Sequence, residues 1–252
     1  MKSDVMRRPR QERIGALDVL VTGGDDGRGG GDGPLVVLCH GFGAPGLDLV
    51  PLGRMLDVPA GTRLCFPAAP LSLGGLFFGD ARAWWMIDMA RLQGMLMTGQ
   101  FDELTSREPD GLHEAREKLV ETLDALESRL GVRPGQTVLG GFSQGAMLSL
   151  DVALRTSRPL AGLVLLSGTL MARLEWTARL HGGTRRGLPV FQSHGAYDEI
   201  LPFPLAEELR ELLASGGLPV EFHRFDGGHE IPEPVLRRLG GFLTRVLTKA
   251  AP

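Results

Sequence analysis

The sequence predicts an α/β fold, a mainly parallel central sheet with helices on both faces. Three observations carry this. Short apolar runs alternate with longer segments of helical period along most of the chain, as parallel strands joined by crossover helices do. Leu35-Val36-Val37-Leu38-Cys39 and Leu163-Val164-Leu165-Leu166 are continuously apolar, as strands buried on both faces are. The 252 residues, 43% of them hydrophobic, suffice for one α/β domain with a sizeable core.

Residues 1–13 read as a loose, basic and polar tail, and residues 14–252 as a single domain. Ala16 to Val21 alternates enough for an early strand. Gly23 to Gly33 then holds seven glycines and three aspartates, a composition that stays flexible and suits a hairpin loop. It lacks the G-x-x-x-x-G-K-[ST] pattern of a phosphate loop. The buried strand Leu35–Cys39 runs into His40-Gly41-Phe42-Gly43. A helix is expected over Leu47 to Leu56, followed by a short strand, Arg63 to Phe66, that ends in Pro67-Ala68-Ala69-Pro70.

Residues 71–108 break the rhythm. Glycines interrupt a stretch rich in Phe77, Phe78, Trp84, Trp85, Met86 and further leucines and methionines, and no single helical period accounts for them. The expectation is a lid-like insertion whose adaptable side chains, with Phe77, Phe78, Trp84, Trp85 and Met86 foremost, line an acyl or aryl pocket. Beyond it, Leu112, Ala115, Leu119, Leu123, Leu126 and Leu130 recur at helical steps between charged residues, and Gly131 ends that helix. Strands are expected at Thr137 to Leu139, Leu163 to Ser167, Val190 to His194 and Val220 to Phe225. An irregular stretch precedes Gly187. Pro204 opens one later helix, and the last starts near Pro234.

Charge narrows the function classes. A net charge of −3 from 27 basic and 30 acidic residues, without a block of either sign, does not suit a nucleic-acid partner. No run approaches the length of a membrane span, and no apolar segment follows the basic N-terminus, so a cytoplasmic protein without membrane insertion is expected. Cys39 and Cys65 sit in apolar strands and read as packed thiols rather than metal ligands or nucleophiles. Neither a metal nor another cofactor is expected.

The chemistry converges on Gly141-Phe142-Ser143-Gln144-Gly145, a G-x-S-x-G pattern between an apolar strand and a helix. A serine hydroxyl needs a base to take its proton and a backbone that presents it clear of its surroundings. A strained strand-to-helix turn presents it, and the flanking glycines leave room for that turn. The Gln144 amide then lies at a helix N-terminus, where unpaired N–H groups suit a developing oxyanion.

In an open parallel sheet the functional loops gather at the C-terminal ends of the strands. Of six histidines, His229 follows the last strand in a glycine-rich loop, Asp226-Gly227-Gly228-His229, that frees it to swing over the sheet. It is the expected base. His40 and His194 also close strands but precede glycine turns they can simply brace; His113, His181 and His223 read as surface or structural. Asp198 follows the preceding strand and is the expected orienting acid, ahead of Glu199 and Asp226. The order nucleophile, acid, base along the chain agrees with it. A second oxyanion donor is expected from the loop after Cys39, at the Phe42 amide.

Taken together, His40-Gly41-Phe42-Gly43, Pro67-Ala68-Ala69-Pro70, Ala83-Trp84-Trp85, the serine pentapeptide, His194-Gly195-Ala196-Tyr197-Asp198 with Pro202, and Gly228-His229 resemble the carboxylesterase, lysophospholipase and acyl-protein thioesterase branch of the α/β-hydrolases. The motifs run in family order from about Leu35 to the C-terminus. The chain departs from the pattern at Ala44, where an aspartate is usual, and at Trp85-Met86, where Phe-Asp is. The resemblance implies an α/β-hydrolase fold and a cofactor-free serine hydrolase, with Ser143, Asp198 and His229 as triad and the Phe42 and Gln144 amides as oxyanion hole. The expected activity is hydrolysis of small to medium-chain acyl or aryl esters. The alternatives are a thioesterase or lysophospholipase on the same triad, or a binding protein that keeps only the fold. Oligomeric state, a homodimer included, is left open.

Overall fold

A strand sends successive side chains to opposite faces, so the five buried residues of Leu35–Cys39 need partners on both sides of the sheet. They have them. In the computed structural model, which describes residues 10–74 and 79–249, Leu35, Val37 and Cys39 enter one core and Val36 and Leu38 the other.

The chain begins with strands β1 (Arg10–Ile14), β2 (Leu17–Gly23) and β3 (Leu35–Cys39), then helix α1 (Leu52–Met55) and strand β4 (Arg63–Pro67). Two short strands, β5 (Leu71–Ser72) and β6 (Arg82–Ala83), precede helices α2 (Met89–Thr98), α3 (Phe101–Ser106) and α4 (Leu112–Leu130). The remainder alternates: β7 (Thr137–Phe142), α5 (Gln144–Arg155), β8 (Gly162–Leu166), α6 (Arg173–His181), β9 (Val190–Gly195), α7 (Phe203–Ser215), β10 (Val220–Phe225) and α8 (Glu233–Lys249).

The main sheet has the order β1-β2-β4-β3-β7-β8-β9-β10. From β4 to β10 every pair is parallel, while β1 and β2 join antiparallel at one edge. Buried residues of α4, α5, α6 and α7 pack on one face; Leu52 of α1 and the apolar stripe of α8 cover the other. Each such leucine or phenylalanine stabilises the fold by about 1.5–3 kcal/mol relative to exposure. The chain moves outward from β3 to β4, then returns past β3 to β7. This reversal opens a crevice at the C-terminal ends of β3 and β7, the place where open α/β sheets bind ligands.

The structure differs from the sequence reading in several places. Residues Arg10 to Arg13, expected in the tail, form β1 because their backbone completes a ladder with β2. The glycine-rich segment is not a hairpin: β4 lies between β2 and β3, so the segment is a crossing loop. The helix expected over Leu47 to Leu56 contracts to Leu52–Met55, since Pro45 and Pro51 each start a turn in place of a continuous ladder. Where an irregular stretch was expected, α6 forms; it buries only Trp176 and Leu180, too short a stripe to announce a helix. Of residues 71–108, those described form the antiparallel strands β5 and β6 and helices α2 and α3.

Candidate active site

Ser143 follows β7 and caps α5 with φ 53° and ψ −119°, outside the conformations a side-chain-bearing residue ordinarily adopts. Such strain costs about 1–3 kcal/mol and persists only where neighbours enforce it. Its amide donates to Leu166 O at 2.8 Å, and its carbonyl accepts from Ala146 N at 3.0 Å and Met147 N at 3.2 Å. Space dictates the flanking glycines. A Cβ on Gly145 would lie 2.1 Å from Cys39 O, and one on Gly141 would lie 2.4 Å from the same oxygen, so the end of β3 touches the turn directly. The Gly41-Phe42 turn is equally close: a Cβ on Gly41 would meet Ser143 Cβ at 3.3 Å. The ring of Phe42 packs with Leu73, Ala81 and Ala83.

Asp198 and His229 are brought together by the ends of β9 and β10. His229 Nδ1 donates to Asp198 Oδ2 at 2.7 Å, so in the neutral ring Nε2 is the acceptor. Asp198 Oδ1 accepts the amides of Ile200 at 2.9 Å and Leu201 at 2.8 Å. Burial alone would raise the Asp198 carboxyl; hydrogen bonds from His194, His229 and Leu201 prevail and hold it well below its ordinary value of 3.8. The two loops are also laced by backbone. Ala196 N donates to Phe225 O at 2.8 Å and Tyr197 N to Gly227 O at 3.0 Å, while Ser167 Oγ donates to Glu230 O at 3.4 Å. The His229 ring lies against Phe142, the residue before Ser143, with centroids 4.7 Å apart.

The Gln144 side chain, to which the sequence reading gave no role, and His40, which it read as able to brace its glycine turn, organise the opposite wall. The Gln144 side chain is buried and bridges the Trp pair: its Oε1 accepts Trp84 N at 2.9 Å and its Nε2 donates to Trp85 O at 2.8 Å. His40 is a brace. Its Nδ1 donates to Gly41 O at 2.8 Å and its Nε2 accepts Ala69 N at 3.0 Å. Burial holds its imidazole below the ordinary 6.5.

Trp84, expected in the pocket, is turned into the core, where its Nε1 donates to His40 O at 2.9 Å. A buried indole needs such a partner. Trp85 and Met86 do line a cleft of about 310 Å³, with Leu92 and Met95 of α2, Met147 of α5 and Leu201. Phe77 and Phe78 lie outside the described residues. A hollow of about 460 Å³ among Arg10, Asp26, Arg28, Arg63 and Arg129 is at the other end of the sheet, where β4 begins. Among the described residues no His, Cys, Asp and Glu side chains cluster as metal ligands do, and no helix is long and apolar enough to cross a membrane.

The family described as Phospholipase/Carboxylesterase matches residues 31–247. The chain belongs to this family. It is thereby a hydrolase of the carboxylesterase type, and its sheet is that of the α/β-hydrolases. Among curated relatives of this phospholipase/carboxylesterase chain, acyl-protein thioesterase 1 of Eremothecium gossypii is 30% identical over 208 residues, covering 79% of this chain and 82% of that one. Its namesake in Yarrowia lipolytica is 27% identical over 197 residues, covering 76% and 82%. The solved structure of esterase PE8 superposes with a TM-score of 0.73 at 29% identity, covering 90% of this chain and 97% of that one. A carboxylesterase from Mesorhizobium loti shares the fold with a TM-score of 0.70 at 19% identity, covering 98% and 100%.

Proposed function

We propose that this member of the family hydrolyses carboxylic esters of small to medium-chain acyl or aryl groups through Ser143, His229 and Asp198. The observation that carries the reading is the 2.7 Å hydrogen bond from His229 Nδ1 to Asp198 Oδ2, in a ring that lies against the residue preceding Ser143. With its Nδ1 proton committed to the carboxylate, His229 offers Nε2 as the base. Ser143 Oγ attacks the acyl carbon as Nε2 takes its proton. The tetrahedral oxyanion settles on the amides of Gln144 and Phe42. As it collapses, the C–O bond to the leaving group breaks and His229 returns the proton to the departing alcohol. Water then attacks the acyl-serine, again losing its proton to Nε2, and the acid leaves with Ser143 restored. Asp198 stays ionised throughout and stabilises the imidazolium.

The cleft supports the acyl preference. Its lining combines apolar Trp85, Met86, Leu92, Met95 and Met147 with charged Asp88, Arg91, Arg107, Glu108 and Asp110, and Met147 lies one helical turn beyond Ser143. A thioester substrate is the second reading, favoured by the acyl-protein thioesterase relatives, since the same steps expel a thiol. Cytoplasmic action fits the two buried, unpaired thiols of Cys39 and Cys65. Initial rates across p-nitrophenyl esters and matched acyl thioesters of rising chain length, with Ser143→Ala alongside, test the reading. Turnover should peak at one chain length and fall by about 10⁴-fold or more in the variant. A folded wild type that turns over neither series sinks it.

A further inference from the structure

The acid of the proposed triad is held by a second histidine that the catalytic scheme does not use. His194, at the end of β9, is fully buried. Its Nε2 lies 2.7 Å from Leu201 O and 3.3 Å from Asp198 Oδ2. Both neighbours are acceptors, so Nε2 carries the proton and directs it between them. Its Nδ1 is buried without a hydrogen-bond partner among the described residues. A side chain kept for packing alone would not bring an orphaned polar atom into the interior, which is costly.

The bonds form a closed arrangement. Leu201 donates its amide to Asp198 Oδ1 and accepts His194 with its carbonyl; His194 and His229 share Oδ2; Ile200 completes Oδ1. Four groups thus face the carboxylate, three in hydrogen bonds and His194 Nε2 at 3.3 Å with its proton shared with Leu201 O, and together they restrict its orientation. Three of these donors come from the Asp198 loop and the His229 loop. His194 alone comes from the sheet itself. It therefore fixes the loop to β9 and sets how much of the carboxylate's charge His229 receives.

We propose that His194 is a positioning residue, anchoring Asp198 and the 198–201 turn to the sheet so that Oδ2 is presented to His229 Nδ1. The proposal rests on the Ser143, His229 and Asp198 reading. It predicts an effect on turnover rather than on substrate binding, because His194 does not line the cleft.

The experiment measures kcat, KM and the pH profile of kcat/KM for His194→Phe, His194→Gln and His194→Asn, with Ser143→Ala and thermal unfolding of each variant. Phenylalanine keeps the ring and removes the donor. Glutamine places an amide N–H₂ near the position of Nε2, whereas asparagine is too short to reach. The expected result is a loss in kcat of about 10-fold or more in the Phe and Asn variants at nearly constant KM. Their acid limb should move to higher pH, since a carboxylate relieved of one donor holds the imidazolium proton more tightly. Gln should restore most of kcat and return the limb. If His194→Phe does not fold, the Gln and Asn pair carries the comparison. A Phe or Asn profile that overlays wild type, or a Gln variant no better than Asn, overturns the proposal while an inactive Ser143→Ala leaves the triad standing. Full activity of Ser143→Ala instead overturns the triad reading and this inference with it.

Discussion

Asp198 shows how a single residue links the proposed chemistry to stability. Its folded carboxyl is held below the ordinary value of 3.8, so the unfolded chain takes up a proton that the native state refuses. Stability from Asp198 is therefore fully present above 3.8 and is lost as pH falls from there toward the folded value. Melting temperatures of wild type and Asp198→Asn between about pH 6 and pH 3 should accordingly converge as the pH falls. A constant difference across that range would mean that the carboxylate is not held in its ionised form. The signals for this residue were in the sequence, where Asp198 followed a strand and preceded a histidine loop. Those for His194 were not: a histidine before a glycine reads as a brace, and only coordinates show its Nε2 between two acceptors.

At the scale of elements, the Gln144 side chain ties the first turn of α5 to the segment leading out of β6. It satisfies one buried donor and one buried acceptor of the Trp pair. Gln144→Ala keeps the backbone amide but leaves both groups unpaired, at a cost of about 2 kcal/mol or more. Melting should fall by about 4–8 °C, and KM should rise because Trp85 lines the cleft; an unchanged Tm would show that the bridge contributes nothing. Periodicity revealed α4, α7 and α8 because each buries a long stripe. It hid α6, whose anchoring is polar: Trp176 Nε1 donates to buried Asp151 of α5 at 2.9 Å, and Arg116 of α4 meets the same carboxylate at 2.6 Å. Burial of a charge among three helices leaves no apolar signature. The segment around residues 71–108 defeated the sequence for a related reason: both tryptophans are buried, but Trp84 bonds to His40 O while Trp85 also borders the cleft, so neighbouring residues obey different constraints.

On the scale of the molecule, the cleft is assembled from α2, α5, the residues after β8 and the turn after β9, so the proposed chain-length preference would be a collective property. Met147 is its member nearest the serine along α5. Met147→Trp should move the best acyl chain to a shorter one, each methylene denied the cleft lowering kcat/KM about fourfold. An unshifted optimum in the ester series would place the acyl chain elsewhere. The sheet order itself was only partly legible: apolar runs identified the strands, but nothing in β2 or β4 states that they are neighbours, since that pairing joins residues distant in sequence. The order nonetheless carries a consequence. Ser143 leaves β7, in the middle of the sheet, whereas His229 follows β10, the outermost strand, which hydrogen-bonds to β9 alone and whose side chains are at most half-buried. The proposed nucleophile is thus fixed to the most protected part of the protein and its proposed base to a margin paired on one side only, so peeling of that one strand should extinguish activity before the core that holds the serine gives way.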